Sequence, residues 1–181
     1  MVNSFDDKPI AMTLFYKLTT VTLTLLGSAV MANGQATAHA SASATVVIPI
    51  AIEKTADMSF GNLSVDPTTG GTVTIEPSGS RSYGGGVTLP AISGDVTQAL
   101  FTVRGSDLYS FNISLPSTVT LTRSSGSEVM IASAFTSNPS GSGILNTGTQ
   151  QLAIGATLTV GAAQAPGTYV SSAFDVTVNY N

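Results

Sequence analysis

The chain of 181 residues contains no cysteine and no tryptophan, and a single histidine. Without cysteine there is neither a disulfide nor thiolate chemistry, so redox compartment cannot be read from this residue. His39 lies close to the N-terminus, within the segment read below as a signal. The remaining chain therefore lacks the commonest general base and the commonest transition-metal ligand. Charge is also scarce, at 9% of residues against about 25% in typical proteins. Beyond the N-terminal segment the basic residues are Lys54, Arg81, Arg104 and Arg123, scattered among eight carboxylates. No cluster of them could neutralise a run of phosphates, which argues against nucleic-acid binding. Low charge does not here mean disorder, because apolar residues make up 43% of the chain and can build a core.

The familiar catalytic signatures are missing too. There is no G-x-S-x-G and no S-x-x-K. Gly84-Gly85-Gly86 lacks the Lys-Ser/Thr of a phosphate loop and reads as a wide turn. Glu53, Asp57, Asp66, Glu76, Asp95, Asp107, Glu128 and Asp175 are spread almost evenly, and none sits among a group of aromatics that would stack on a sugar. Asp66, Asp95 and Asp107 sit at turns, but no calcium-ligand spacing joins them. The expectation is a protein that is not an enzyme, with no catalytic residue, metal or cofactor.

What is present begins with the N-terminus. Leu18–Val30 is a short apolar run preceded by Lys17 and followed by small residues, including Ala36-Thr37-Ala38 and Ala38-His39-Ala40. A basic residue, an apolar stretch and A-x-A-like sites form the layout of a secretory signal. The run is too short and too rich in Ser and Thr for a membrane span of about 20 residues. Asp6 and Asp7 precede it, and Met12 offers an alternative start. Residues 1–40 are read as a cleaved signal, 41–49 as an N-terminal extension or first strand, and 50–181 as one domain. The expected location is outside the cytoplasm: periplasm, cell surface or extracellular space. No transmembrane span is expected in the mature chain.

Along that domain apolar residues recur at period two. The pattern includes Val73 and Ile75, Phe101 and Val103, Tyr109 to Leu115, Val119 and Leu121, Leu152 and Ile154, and Phe174 to Tyr180. Turn residues such as Asp66-Pro67, Pro77-Ser78-Gly79, Ser93-Gly94-Asp95, Gly105-Ser106-Asp107 and Pro139-Ser140-Gly141 separate the runs. Val129–Thr136 is less regular and reads as a further strand. One apolar face per strand, with Thr or Ser opposite, predicts an all-β fold, an antiparallel β-sandwich of immunoglobulin or pilin-like type.

The two ends of the domain carry the most specific pattern. Ala44, Val46, Ile48 and Ile50 alternate just after the predicted cleavage region, and Phe174, Val176, Val178 and Tyr180 alternate to the end of the sequence. Together with IAIEKTADMSFGNL (50–63), GGTVTIEPSGSR (70–81), YSFNISLP (109–116), FTSNPSGSG (135–143) and FDVTVNYN (174–181), they resemble a bacterial secreted family known as domain of unknown function 4402. More distantly the layout is similar to chaperone–usher pilin subunits and spore-coat-U-like secreted domains. The pilin resemblance implies a structural subunit that polymerises with copies of itself by β-strand addition. Under it, residues 41–49 with Ala44, Val46, Ile48 and Ile50 act as a donor strand. Phe174, Val176, Val178 and Tyr180 form a C-terminal strand that docks a periplasmic chaperone before transfer to an outer-membrane usher. The chain departs from many such subunits in lacking a disulfide, and Pro49 removes one backbone donor from the extension. Two readings of residues 41–49 stay open, pairing as strand one of their own domain or pairing in a neighbour. The alternative function is a monomeric secreted or surface-anchored binding module, adhesin-like, with contacts near Tyr83 and Tyr109.

Overall fold

The computed structural model describes residues 34–181. Most of the expected signal therefore lies outside the described residues. Residues 34–50 contain neither helix nor strand, and residues 45–181 form one compact unit.

Fifteen strands follow in order: β1 (Ala51–Ala56), β2 (Ser59–Phe60), β3 (Ser64–Val65), β4 (Gly71–Ile75), β5 (Arg81–Gly85), β6 (Val87–Thr88), β7 (Val96–Thr97), β8 (Ala99–Arg104), β9 (Ser110–Ser114), β10 (Thr118–Arg123), β11 (Val129–Asn138), β12 (Ser142–Ile144), β13 (Thr149–Val160), β14 (Tyr169–Val170) and β15 (Thr177–Tyr180). No helix occurs among the described residues, and so none is long and apolar enough to cross a membrane. The architecture is all-β and antiparallel, as the period-two pattern predicts, with a sandwich-like core.

The larger sheet runs β1-β8-β13-β11-β10-β14. β13 is its spine. Its first half pairs with β8 (Leu152 opposite Phe101) and its second half with β4 (Leu158 opposite Val73), while β11 lies along its other side. β5 continues the sheet beyond β4. The smaller sheet is β12-β9-β15. Alternation holds along all of β13: Leu152, Ile154, Ala156, Leu158 and Val160 are buried. On the opposite face stand threonines whose branched carbons fit the pleat, with the Thr74 and Thr157 hydroxyls 2.9 Å apart.

Two core clusters divide β13 between them. Around its first half Val103, Leu152 and Ile154 of the large sheet meet Phe111 and Val178 of the small sheet, with Leu145 between. This is the sheet-on-sheet packing of a sandwich. Around its second half Val73, Ile75, Met130, Leu158 and Val160 are covered by Phe60 and Val87. Those two residues belong to two-stranded ribbons, β2-β7 and β3-β6. The second cluster thus has a much thinner cover.

Three local departures from the sequence reading have plain causes. The glycine run expected to be a wide turn is narrower: Gly84 and Gly85, the latter at a φ of 68°, end strand β5, and Gly86 alone is the turn into β6. A Cβ on Gly86 would meet the Thr69 carbonyl, so the run permits a close backbone approach. In β11 the register shifts between Ser133 and Thr136, and Ala134 has a φ of 50°. This bulge changes the inward parity from Met130 and Ala132 to Phe135. Finally, the first strand begins at Ala51, not within the alternating run before it. β8 ends at Arg104, opposite Ala51, so its ladder offers nothing to residues further upstream. Pro49 also lacks the N–H that a continued ladder would need.

Candidate functional site

Of the residues expected to form a donor strand, Ala44, Val46 and Ile48 are exposed. Val46 is 96% accessible and Ile48 64%. Ile50 alone is partly buried, against the cluster shared by the two sheets. Before Pro49 the alternating side chains are therefore uncovered, while Val47, of the opposite parity, is half-buried.

The C-terminal residues behave differently. Phe174, Val176 and Tyr180 pack partly buried against the same cluster and Val178 is buried within it, while Ala173, Asp175, Thr177 and Asn179 are exposed. The alternation is real over the whole segment, but the ladder is shorter. Thr177–Tyr180 pairs with Phe111–Ser114 of β9, and residues 171–176 belong to no strand. Phe174 is fixed by its ring contact with Phe135, the centroids 5.6 Å apart.

Beside this unladdered stretch lies an open groove of about 1330 Å³. Leu63, Leu121, Tyr169 and Phe174 are among its apolar lining residues, and Asn62 and Gln164 among its polar ones. Phe60, Met130, Ala132 and Leu158 of the core cluster beneath the short ribbons are also in its lining. Lys54 and Asp57, 2.7 Å apart and both solvent-exposed, are among its lining residues.

The two ends of the domain meet at one point. The Ser106 N–H donates to the Tyr180 hydroxyl at 2.7 Å. That hydroxyl donates to the Ile48 carbonyl at 2.7 Å. The Ile48 N–H in turn donates to Ser106 Oγ at 2.8 Å. Both backbone groups of Ile48 are thus satisfied by side chains. The Tyr180 ring packs against Tyr109 at 5.5 Å with an interplanar angle of 59°. A Cβ on Gly105 would fall on the Tyr180 hydroxyl, so glycine leaves the room that the contact needs. Ser106 was legible only as part of a turn, because its partners stand 58 and 74 positions away.

Tyr83 lies on β5 and Tyr109 just before β9, on separate sheets. Both are exposed, yet Tyr109 is engaged by Tyr180. Among the described residues no three His, Cys, Asp or Glu side chains are grouped to hold a metal ion. Asp66 accepts hydrogen bonds from the Thr68 hydroxyl and from the N–H groups of Thr68 and Thr69. The Thr68 hydroxyl, then these amides, hold its carboxyl below the ordinary carboxylate value. Glu128 is lowered as well, first by a hydrogen bond from its own amide and then by the Arg123 guanidinium. Both arrangements stabilise turns.

No curated protein and no solved structure matches the chain. Over residues 50–180, from Ile50 through the whole β-framework to Tyr180, the sequence matches a family model, and the chain belongs to that family, described as Domain of unknown function (DUF4402).

Proposed function

We propose that this protein is a non-enzymatic, exported structural subunit of a cell-surface assembly, pilin-like in that copies join by β-strand addition. The observation that carries the reading is the pairing of uncovered apolar side chains at Val46 and Ile48 with an open groove on the same domain, lined by Leu63, Leu121 and Tyr169 together with polar side chains. Burying Val46 and Ile48 is worth about 1.5–3 kcal/mol each, a substantial fraction of a domain's net stability of about 5–15 kcal/mol. Segment and groove are complementary in kind: an alternating extended chain, and a trough beside backbone that lies in no ladder. A periplasmic chaperone would hold the same groove or the C-terminal segment until a second copy takes its place.

The test compares unboiled and boiled samples of the exported protein on a denaturing gel, with electron microscopy of the same fraction. Strand addition predicts a heat-sensitive ladder and thin fibres, and loss of both on deleting residues 41–49 while export continues. A single monomer band without fibres would overturn the reading in favour of a monomeric binding module.

A further inference from the structure

Tyr180 and Ser106 hold Ile48 through three hydrogen bonds that close a ring. We infer that this clasp is a positioning device. It fixes the base of the N-terminal segment so that Val46 and Ile48 enter the groove of a second copy of the chain and cannot enter their own. The inference rests on the strand-addition reading and deepens it by assigning residues that choose between self-closure and assembly.

Reach decides the matter. Val46 stands two positions before the clasped Ile48, and two extended residues span at most about 7 Å. The paired strands β1 and β8 separate that point from the groove: the clasp at Ser106 lies beyond the rung Ala51–Arg104, and the groove lining begins at the rung Lys54–Phe101. Those rungs are three strand residues apart, about 10 Å. A segment tethered at Ile48 therefore falls short of its own groove. Released from the clasp, the same segment gains the freedom to fold back. The residues forming the ring fit this role. Ile48 precedes proline, which restricts it to extended backbone angles. Gly105 keeps clear the space that the Tyr180 hydroxyl fills. The Tyr109 ring steadies the tyrosine from one side.

The absence of cysteine makes the experiment clean. Val46→Cys and Leu121→Cys are introduced together in the full-length, exported chain and oxidised. With the clasp intact, the disulfides join different copies and give a ladder on a non-reducing gel. Adding Tyr180→Phe or Ser106→Ala shifts the product towards a monomer closed on itself, at least tenfold in the ratio of closed monomer to ladder. Ser106→Ala leaves the tyrosine packing whole and guards against a folding defect in Tyr180→Phe. Amide hydrogen exchange at Ile48 is read in parallel, with acceleration of about tenfold expected in Ser106→Ala, the scale of one lost hydrogen bond. A ladder unchanged in both variants, or unaltered exchange at Ile48, overturns the clasp while leaving strand addition standing. A closed monomer already in the clasped protein overturns both. A slow-exchanging Ile48 in that case would show that the hydrogen bonds exist without the directing role.

Discussion

The two ends of this domain carry the same pattern and meet opposite fates. Val46 and Ile48 alternate as faithfully as Val176 and Val178, yet the first pair is exposed while Val178 is buried and Val176 partly so. The difference lies in what the rest of the chain provides. The C-terminal residues find Phe111 and Leu145 beneath them and the backbone of β9 beside them. The N-terminal residues find neither, because β8 stops at Arg104 and Pro49 interrupts the donors. Alternation marks a segment as competent to be a strand; it does not say whose sheet receives it.

The sharpest way to test this contrast is one substitution at each end. Val178→Asp places an unpaired carboxylate in the core and should cost about 4 kcal/mol or more, or prevent folding. Val46→Asp should leave the monomer within about 0.5 kcal/mol of the parent and abolish multimers. Denaturant titration of monomer and gel analysis of multimers read the two outcomes. Equal destabilisation by both would mean that the N-terminal segment already belongs to the folded core.

Gly105→Ala strikes where the two ends join. Its new methyl group competes with the Tyr180 hydroxyl, and a loss of about 1–3 kcal/mol is expected from the forced shift. Combining it with Tyr180→Phe, which removes the opposing oxygen, should recover part of that loss. Fully additive effects in denaturant titration would argue that the two residues do not meet.

The smallest effect concerns acid. The Asp66 carboxyl is held below the ordinary value of 3.8, chiefly by the Thr68 hydroxyl. Its contribution to stability is therefore present above that value and is lost as pH falls through the depressed one. Because the group is solvent-exposed, the contribution is small. Asp66→Asn should lower stability slightly at neutral pH, with the difference from the parent shrinking as pH falls through the depressed value. A stability difference that grows as pH falls would contradict this assignment.

Much of the framework was legible from side-chain period alone. β4, β8, β10 and the whole of β13 follow the alternation of their apolar residues, because each has one face on the core. β5 escaped notice since Arg-Ser-Tyr-Gly-Gly has almost no apolar content; it is a strand because β4 offers its edge. The parity change in β11 depends on a bulge at Ala134, which no local signal announces. At the candidate site the penultimate tyrosine could be picked out by position. Its hydroxyl partner could not, since Ile48 lies 132 positions away and Ser106 74. The groove was invisible for a related reason. It is the space left where two-residue strands cover a core, and such strands leave hardly any trace in a periodicity.

The central place of β13 has a consequence for the order of events during folding. β4, β8 and β11 all take their ladders from residues 149–160, which are synthesised after all three. Before these residues are available, three earlier strands have exposed edges and no common partner. Such edges are the surfaces on which unfinished chains stick to one another. Contacts as distant as Thr74 with Thr157, 83 positions apart, also place the loop-closure cost ahead of the stabilising pairing. The same topology that gives the finished domain a continuous spine leaves the growing chain without one until the strands it must join have all emerged.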